Sequence, residues 1–168
     1  EPYLPFNFDS TESIQVTNDG DDLTALIPWA DQLYISTKST FYRLQGTTSA
    51  TWGIRRTFAS HGCINKHTLQ RTRYGLVFLW HDGLYIFDGS LTKKITGDRL
   101  ADSLFTSTIS SKAACYSEWD GDKYYFHYPE SGTTISKRLV CDFSTYPAIR
   151  FYYDDFVPTA HSFHAMTG

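Results

Sequence analysis

The stretch LVFLWHDGLYIFDG, residues 76–89, contains two short apolar runs separated by a His-Asp-Gly turn. Glycine adopts the positive φ of a tight hairpin at no steric cost, so Gly83 is well placed to close the turn. The flanking runs are rich in aliphatic and aromatic residues, which is typical of strands covered on both faces. The stretch therefore predicts a buried β-hairpin.

The same pattern occurs 43 residues earlier, in LYISTKSTFYRLQG at residues 33–46. The two stretches align without a gap, and Tyr42 of the first matches Tyr85 of the second. A looser third copy begins with KYYFHY, 47 residues after Leu76, and continues with RLVCDF at residues 138–143. The Gly-, Ser- and Thr-rich insertion between these two halves predicts a longer hairpin loop.

Further strand-like segments flank each hairpin in the same order. They are residues 23–29, 64–72 and 113–119 upstream, and residues 52–58, 91–96 and 148–153 downstream. Four short strands on such a period predict the blades of a β-propeller, so the expected fold is all-β, with blades of four antiparallel strands. The alternative is two β-sandwich meanders that resemble each other. A helical turn is expected only at residues 98–106.

The repeats divide the chain into segments. They are residues 1–22, an irregular segment or the end of a preceding blade; 23–60, blade 1; 61–110, blade 2; 111–157, blade 3; and 158–168, the start of a following strand. Closed propellers usually have four to eight blades. We therefore expect about three blades of a larger or oligomeric propeller, and two apolar end faces that need partners.

The composition excludes several classes of protein. Charged residues make up 20% of the chain and the formal net charge is −3, which excludes a disordered polyelectrolyte and a basic nucleic-acid binder. No run approaches the ~18 apolar residues of a membrane span, so no membrane insertion is expected. We expect Cys63, Cys115 and Cys141 to be buried reduced thiols; one disulfide with a spare thiol is the alternative.

Two clusters have the residue types of metal ligands. His61, Cys63 and His67 form an H-x-C-x₃-H pattern, but an extended strand would hold Cys63 and His67 about 13 Å apart. The acidic segment NDGDD, residues 18–22, resembles a calcium loop but lacks the closing glutamate. We interpret both as ordinary structural segments and expect no bound metal or cofactor.

Few residues of the sequence are candidates for catalysis. Asp88, Asp142 and Asp154 could supply a carboxylate pair for glycoside hydrolysis. However, Asp88 and Asp142 end equivalent strands, which favours a role in capping turns. Four tryptophans could stack on sugars or pack between blades: Trp29, Trp52, Trp80 and Trp119. We therefore expect no catalytic residues.

Basic residues are loosely clustered in the middle third of the chain. They are Arg55, Arg56, Lys66, Arg71, Arg73, Lys93 and Lys94. We interpret them mainly as a solvated surface. Non-specific contact with DNA phosphates is the alternative, since such contacts need only positive charge.

Two segments carry a resemblance to a known class of protein. LIPWADQLYISTKSTFYRL, residues 26–44, and GLVFLWHDGLYIFDG, residues 75–89, resemble the propeller segments of tailed-bacteriophage virion proteins, of the tail-nozzle, head-to-tail connector and tail-tube type. The resemblance extends over residues 23–155, although the third copy lacks the closing Asp-Gly.

The resemblance implies a non-enzymatic structural protein of the phage tail or neck, assembled in the host cytoplasm. Its expected partners are other copies of itself and neighbouring virion proteins. The alternatives are a carbohydrate- or protein-binding propeller module and, third, a propeller glycoside hydrolase.

Overall fold

The computed structural model describes residues 16, 20–48, 51–97 and 100–154, which form an all-β protein. Its strands are β1 (Leu23–Trp29), β2 (Gln32–Thr37), β3 (Phe41–Gln45), β4 (Gly53–Arg56), β5 (Gln70–Thr72), β6 (Gly75–Trp80), β7 (Gly83–Phe87), β8 (Thr92–Lys94), β9 (Tyr116–Trp119), β10 (Lys123–Tyr128), β11 (Lys137–Asp142) and β12 (Arg150–Asp154). They form three separate antiparallel sheets, sheet 1 (β1–β4), sheet 2 (β5–β8) and sheet 3 (β9–β12), each with its strands in chain order.

The three predicted hairpins are confirmed as the central strands of three different sheets. They are β2–β3, β6–β7 and β10–β11. Ile35 lies opposite Tyr42 in the first hairpin, and Phe78 lies opposite Tyr85 in the second. Because each apolar run pairs with the next run along the chain, the local sequence pattern is sufficient to predict these pairs.

The flanking strands are less regular than expected. The expected strand at 64–72 begins instead with a 3₁₀ turn at Lys66–Thr68, and only Gln70–Thr72 is extended. Asn65 caps this turn, since its side chain accepts a hydrogen bond from the His67 amide. A second 3₁₀ turn at Lys112–Ala114 shortens the expected strand at 113–119 in the same way.

The expected helical turn near residue 100 lies further along the chain than predicted. It is a five-residue π-helical turn at Leu104–Thr108 that buries Leu104 and Phe105; residues 98 and 99 of the expected turn lie outside the described residues. The described residues otherwise contain almost no helix. No helical turn among them has the length and apolar character needed to cross a membrane.

Sheet 2 is buried on both faces between the other two sheets. One face packs against sheet 1, in a cluster that includes Tyr34, Phe41, Leu76, Phe78, Tyr85 and Phe87. The other packs against sheet 3, in a cluster that includes Val77, Leu79, Leu84, Ile86, Tyr124, Phe126 and Leu139. Successive side chains of a strand point to opposite faces, so the continuous apolar runs of sheet 2 supply both clusters.

The alignment of the third copy is wrong by one residue. Tyr124 belongs to the cluster between sheets 2 and 3, so its side chain faces the preceding sheet, sheet 2. Leu76 likewise faces the sheet that precedes its own, sheet 1. The residue equivalent to Leu76 is therefore Tyr124, which lies 48 residues later rather than 47. Lys123 does not define the alignment, because the turn before β10 is longer than the turn before β6. A shift of one residue exchanges the two faces of a strand.

The first strands of neighbouring sheets lie close together. Trp29 Nε1 donates to the Thr72 carbonyl at 2.9 Å and joins β1 to β5. Gln70 Nε2 donates to the Ser117 carbonyl at 2.8 Å and joins β5 to β9. The side-chain amide of Asn65 adds bonds to carbonyls of the segment before β9. The three sheets are therefore linked along one edge.

The proposed segment boundaries stay predictions. The N-terminal segment 1–22, apart from residues 16 and 20–22, and the following strand at 158–168 lie outside the described residues.

Candidate functional site: the outer faces of sheets 1 and 3

The three side chains of the His-Cys-His pattern lie in separate environments. The thiol of Cys63 is buried and donates to the Asn65 carbonyl at 3.0 Å, and burial raises its pKa to about 11. The ring of His61 packs against Tyr85, with centroids 4.5 Å apart, while His67 is exposed. Within the described ranges, no three His, Cys, Asp or Glu side chains form a metal-ligating group.

The three cysteines are buried and unbridged. The expected burial is therefore confirmed. Burial raises the pKa of Cys115 to about 12 and also raises that of Cys141, which makes these thiols weak nucleophiles at neutral pH.

The described part of the acidic segment stabilises a neighbouring turn. Asp21 accepts hydrogen bonds from the amide and hydroxyl of Ser39, and Asp22 pairs with Lys38. These contacts attach the start of β1 to the β2–β3 turn. The other residues of this segment, 18 and 19, lie outside the described residues.

The candidate catalytic carboxylates have local structural roles. Asp88 accepts from two amides of the turn that follows β7, and Asp142 accepts from the Ser144 amide after β11. The turn-capping interpretation is therefore confirmed for both. Asp154 pairs with Arg138 across β11 and β12.

Three of the four tryptophans contribute to packing between sheets. Trp29 and Trp80 pack on the cluster shared by sheets 1 and 2, and Trp119 packs on the cluster shared by sheets 2 and 3. Only Trp52 among the four is largely exposed, at 48%. Core packing thus accounts for the recurrence of tryptophan near the strands.

The basic residues do not share one face. Arg55 and Arg56 follow each other on β4 and therefore point to opposite faces of sheet 1. Arg73 pairs with Asp122, and Lys94 pairs with two acids, Asp82 and Asp102. Contact with DNA stays a prediction.

The outer face of sheet 1 is apolar. Its cross-strand rows are Leu26–Ile35–Tyr42–Arg56 and Pro28–Leu33–Leu44–Ile54. Leu26 is 66% exposed at the first strand, whereas Ile35 and Tyr42 in the centre are buried. Arg56 carries the only formal charge in these two rows, and it lies on the last strand.

The outer face of sheet 3 contradicts the expectation of a second apolar face. Its rows are Tyr116–His127–Arg138–Asp154, Glu118–Tyr125–Val140–Tyr152 and Lys123–Asp142–Arg150. Arg138 lies over the Tyr125 ring, 5.1 Å from its centroid, and pairs with Asp154. Aromatic rings and charged pairs replace the aliphatic residues of the other sheets. The spacing of large residues does not reveal this difference, because an alignment of Lys123 with Leu76 exchanges the two faces of the strands in sheet 3.

A cleft lies between sheets 2 and 3 at their last strands. It has a volume of about 310 Å³ and is lined by Ile86, Lys93 and Ile95 and by Pro147 and Ile149 of the segment before β12. A second cleft, with a volume of about 500 Å³, lies between the same two sheets at their first strands, where Gln70 of β5 and Tyr116 of β9 line it.

The chain was also compared with known proteins. Models of known protein families give no match, and a search of curated proteins finds no similar sequence.

Proposed function

We propose that the chain is a β-propeller segment that works as a non-enzymatic structural protein of a tailed-phage virion, in the tail or the head-to-tail connector. The observation that carries the proposal is the stack of three four-stranded sheets, with sheet 2 buried on both faces. A stack of similar sheets offers its end faces, edges and loops to neighbouring subunits, so it acts by shape and contact.

The relative placement of the sheets supports propeller blades over sandwich meanders. In a propeller the first strands of successive blades approach a central axis, and the outer strands lie further apart. Here hydrogen bonds join β1 to β5 and β5 to β9, so the first strands of successive sheets are in direct contact. Each sheet also keeps its four strands in chain order, as blades do.

The uses of the polar side chains support a structural role. Asp88 and Asp142 cap turns on different sheets, and the buried Asn65 bonds to backbone carbonyls of the next sheet. These groups stabilise turns and sheet-to-sheet contacts. A glycoside hydrolase would need two of its acids to flank one bond.

The assignment to a virion rests on the resemblance of residues 26–44 and 75–89 to phage propeller segments. Its test is the protein composition of tailed-phage particles purified from the organism that encodes the chain. We expect mass spectrometry to detect the chain at a constant ratio to the major capsid protein across successive density-gradient fractions. The soluble host protein is the control, and a chain found only there contradicts the virion assignment.

Carbohydrate binding is a second candidate, favoured by the exposure of Trp52. An exposed indole can stack on a sugar ring. A glycan-array signal that disappears in Trp52→Ala and persists in Tyr152→Ala would favour this function over a purely structural one.

A further inference from the structure

Arg43 and Arg55 form a cross-strand pair of like charges in sheet 1. They occupy paired positions of β3 and β4, so their side chains lie side by side on one face, with Cβ atoms about 5 Å apart. Phe41, two residues before Arg43, belongs to the cluster between sheets 1 and 2, so this face is the inner one, toward sheet 2. Like charges directly opposite each other destabilise a sheet. The pair therefore costs stability unless an anion lies beside it.

The Arg43 guanidinium lies among aromatic residues, and one of its nitrogens has no acceptor. Its Nε is buried and has no hydrogen-bond partner. Tyr34, opposite Arg43 on β2, and Phe41 both pack on Phe87 of sheet 2, with ring centroids 5.3 and 4.6 Å away. A buried charged donor without an acceptor is costly, and it indicates a position for a further ligand.

No carboxylate of the described residues neutralises this arginine pair. The ion pairs within the described ranges use other cations, namely Lys38, Arg73, Lys94 and Arg138. Arg43 is partly exposed, and Arg55 is exposed on β4, the last strand of sheet 1. A small solute can therefore reach the two guanidinium groups from the edge of the sheet.

Comparison of the sheets shows that packing does not require an arginine at position 43. The equivalent residue of sheet 2 is Ile86, which is buried in the cluster between sheets 2 and 3. An aliphatic side chain thus fits this position of a sheet, whereas an uncompensated charge adds a desolvation cost there. Residues that break a local rule of a fold are expected at functional sites.

We propose that Arg43 and Arg55 together bind a tetrahedral oxyanion with two negative charges, namely phosphate, either free or as the terminal group of a phosphate monoester. A guanidinium presents a planar fork of N–H donors that matches the oxygen atoms of phosphate. Two guanidinium groups side by side neutralise a dianion, whereas a single carboxylate would leave one positive charge uncompensated. Such a site is independent of the virion assignment, since it needs only sheet 1 and its contact with sheet 2.

The test is a titration of the purified chain with sodium phosphate at low ionic strength, followed by isothermal titration calorimetry. We expect one phosphate to bind per chain. Arg55→Gln removes one exposed guanidinium and should raise the phosphate dissociation constant by about 10-fold or more, because hydrogen bonds to a charged ligand are lost. Arg56→Gln is the matched control. It makes the same change at the next residue, which is also exposed but lies on the opposite face, and it should leave the constant unchanged.

Arg43→Ile separates binding from folding. It introduces the residue that sheet 2 has at the equivalent position, so the variant should remain folded, as seen by circular dichroism, and should lose phosphate binding. Two further ligands define the chemistry. Acetate, with one charge, should bind at least about 10-fold more weakly than phosphate. Binding of glycerol phosphate would assign the site to a terminal phosphate group, and its failure to bind would assign the site to the free ion.

A wild-type chain that does not bind phosphate would overturn the proposal. Unchanged binding in Arg55→Gln or Arg43→Ile would do the same, as would equal weakening by Arg55→Gln and Arg56→Gln. Acetate binding as tight as phosphate binding would contradict a site for a dianion. If Arg43→Ile does not fold, the comparison of Arg55→Gln with Arg56→Gln decides.

Discussion

Trp29 Nε1 donates a hydrogen bond to the backbone carbonyl of Thr72, 2.9 Å away, and so joins the first strand of sheet 1 to the first strand of sheet 2. The indole also lies against Tyr34, with ring centroids 6.0 Å apart. One side chain thus fills space between two sheets and satisfies a carbonyl on the second. This combination explains why a large polar aromatic residue stands at the end of β1.

Replacing Trp29 by phenylalanine should separate these two contributions. Trp29→Phe keeps a ring beside Tyr34 but leaves the Thr72 carbonyl without its donor, and we expect it to lower the free energy of unfolding by about 1 kcal/mol. Trp52→Phe is the control, since Trp52 is largely exposed. Urea denaturation measures both variants, and equal effects would contradict a structural role for the indole donor.

Asn65 should be one of the most sensitive polar residues. Its Nδ2 donates to the carbonyls of Lys112, Ala113 and Cys115, at 2.8, 3.3 and 2.7 Å. Asn65→Ala removes these bonds between sheets 2 and 3 and should cost about 2–3 kcal/mol of stability, because the buried carbonyl of Cys115 and two partly buried carbonyls lose their donor.

Asn65→Asp tests the same contact with an isosteric side chain. It keeps an acceptor for the His67 amide but directs a carboxylate oxygen at the three carbonyls. We expect it to be at least as destabilising as Asn65→Ala in chemical denaturation. A milder effect of Asn65→Asp would show that the capping bond, and not the link to sheet 3, determines the role of Asn65.

Gly62 should not tolerate a side chain. A Cβ atom at this position would lie 2.1 Å from the Thr37 carbonyl oxygen and 2.7 Å from the Thr40 amide nitrogen, both backbone atoms of the β2–β3 turn. We expect Gly62→Ala to cost about 3 kcal/mol or more in thermal denaturation, because two backbone segments must separate. Gly53→Ala is the matched control; its Cβ would meet open space, and its effect should stay within about 0.5 kcal/mol.

Stability should fall in mild acid because of His127. Burial, reinforced by the positive charge of Arg138, lowers the pKa of His127 to about 4. Between pH 6.5 and 4 the unfolded chain therefore binds a proton at His127 that the folded chain does not. Stability is lost as the pH falls through this window, on the order of 2–3 kcal/mol in total.

His127→Phe isolates this contribution. Phenylalanine can still stack on Tyr116, whose ring lies 4.3 Å from that of His127, but it cannot take up a proton. The difference in unfolding free energy between wild type and variant should change steadily from pH 6.5 to pH 4 and then level off. A difference that is independent of pH would show that His127 is not neutral in the folded chain.

The three hairpins could be predicted from the sequence because their determinants are local. Each has two short apolar runs beside a turn, and pairs such as Phe78 and Tyr85 follow from closing that turn. The roles of Asp88 and Asp142 as turn caps were predictable for the same reason, since a carboxylate two residues before an amide folds back on it.

The two 3₁₀ turns could not be predicted in this way. Residues 64–69 have a strand-like composition, but Asn65 bonds both to its own turn and to carbonyls of the segment before β9, which follows almost 50 residues later. A bond over that distance in the chain leaves no periodic signal.

The sequence by itself determined the order of the strands, their pairing and their division into separate sheets. The reason is that turn residues and apolar runs direct contacts between segments that are close together in the chain. Only the tertiary structure decided which side of each sheet faces its neighbour. In the third copy, Tyr124 rather than Lys123 takes the position of Leu76, and the outer face of sheet 3 is therefore charged rather than apolar. The physical reason is the two-residue period of a strand: a shift of one residue preserves the pattern of aromatic residues but exchanges the buried and outer faces.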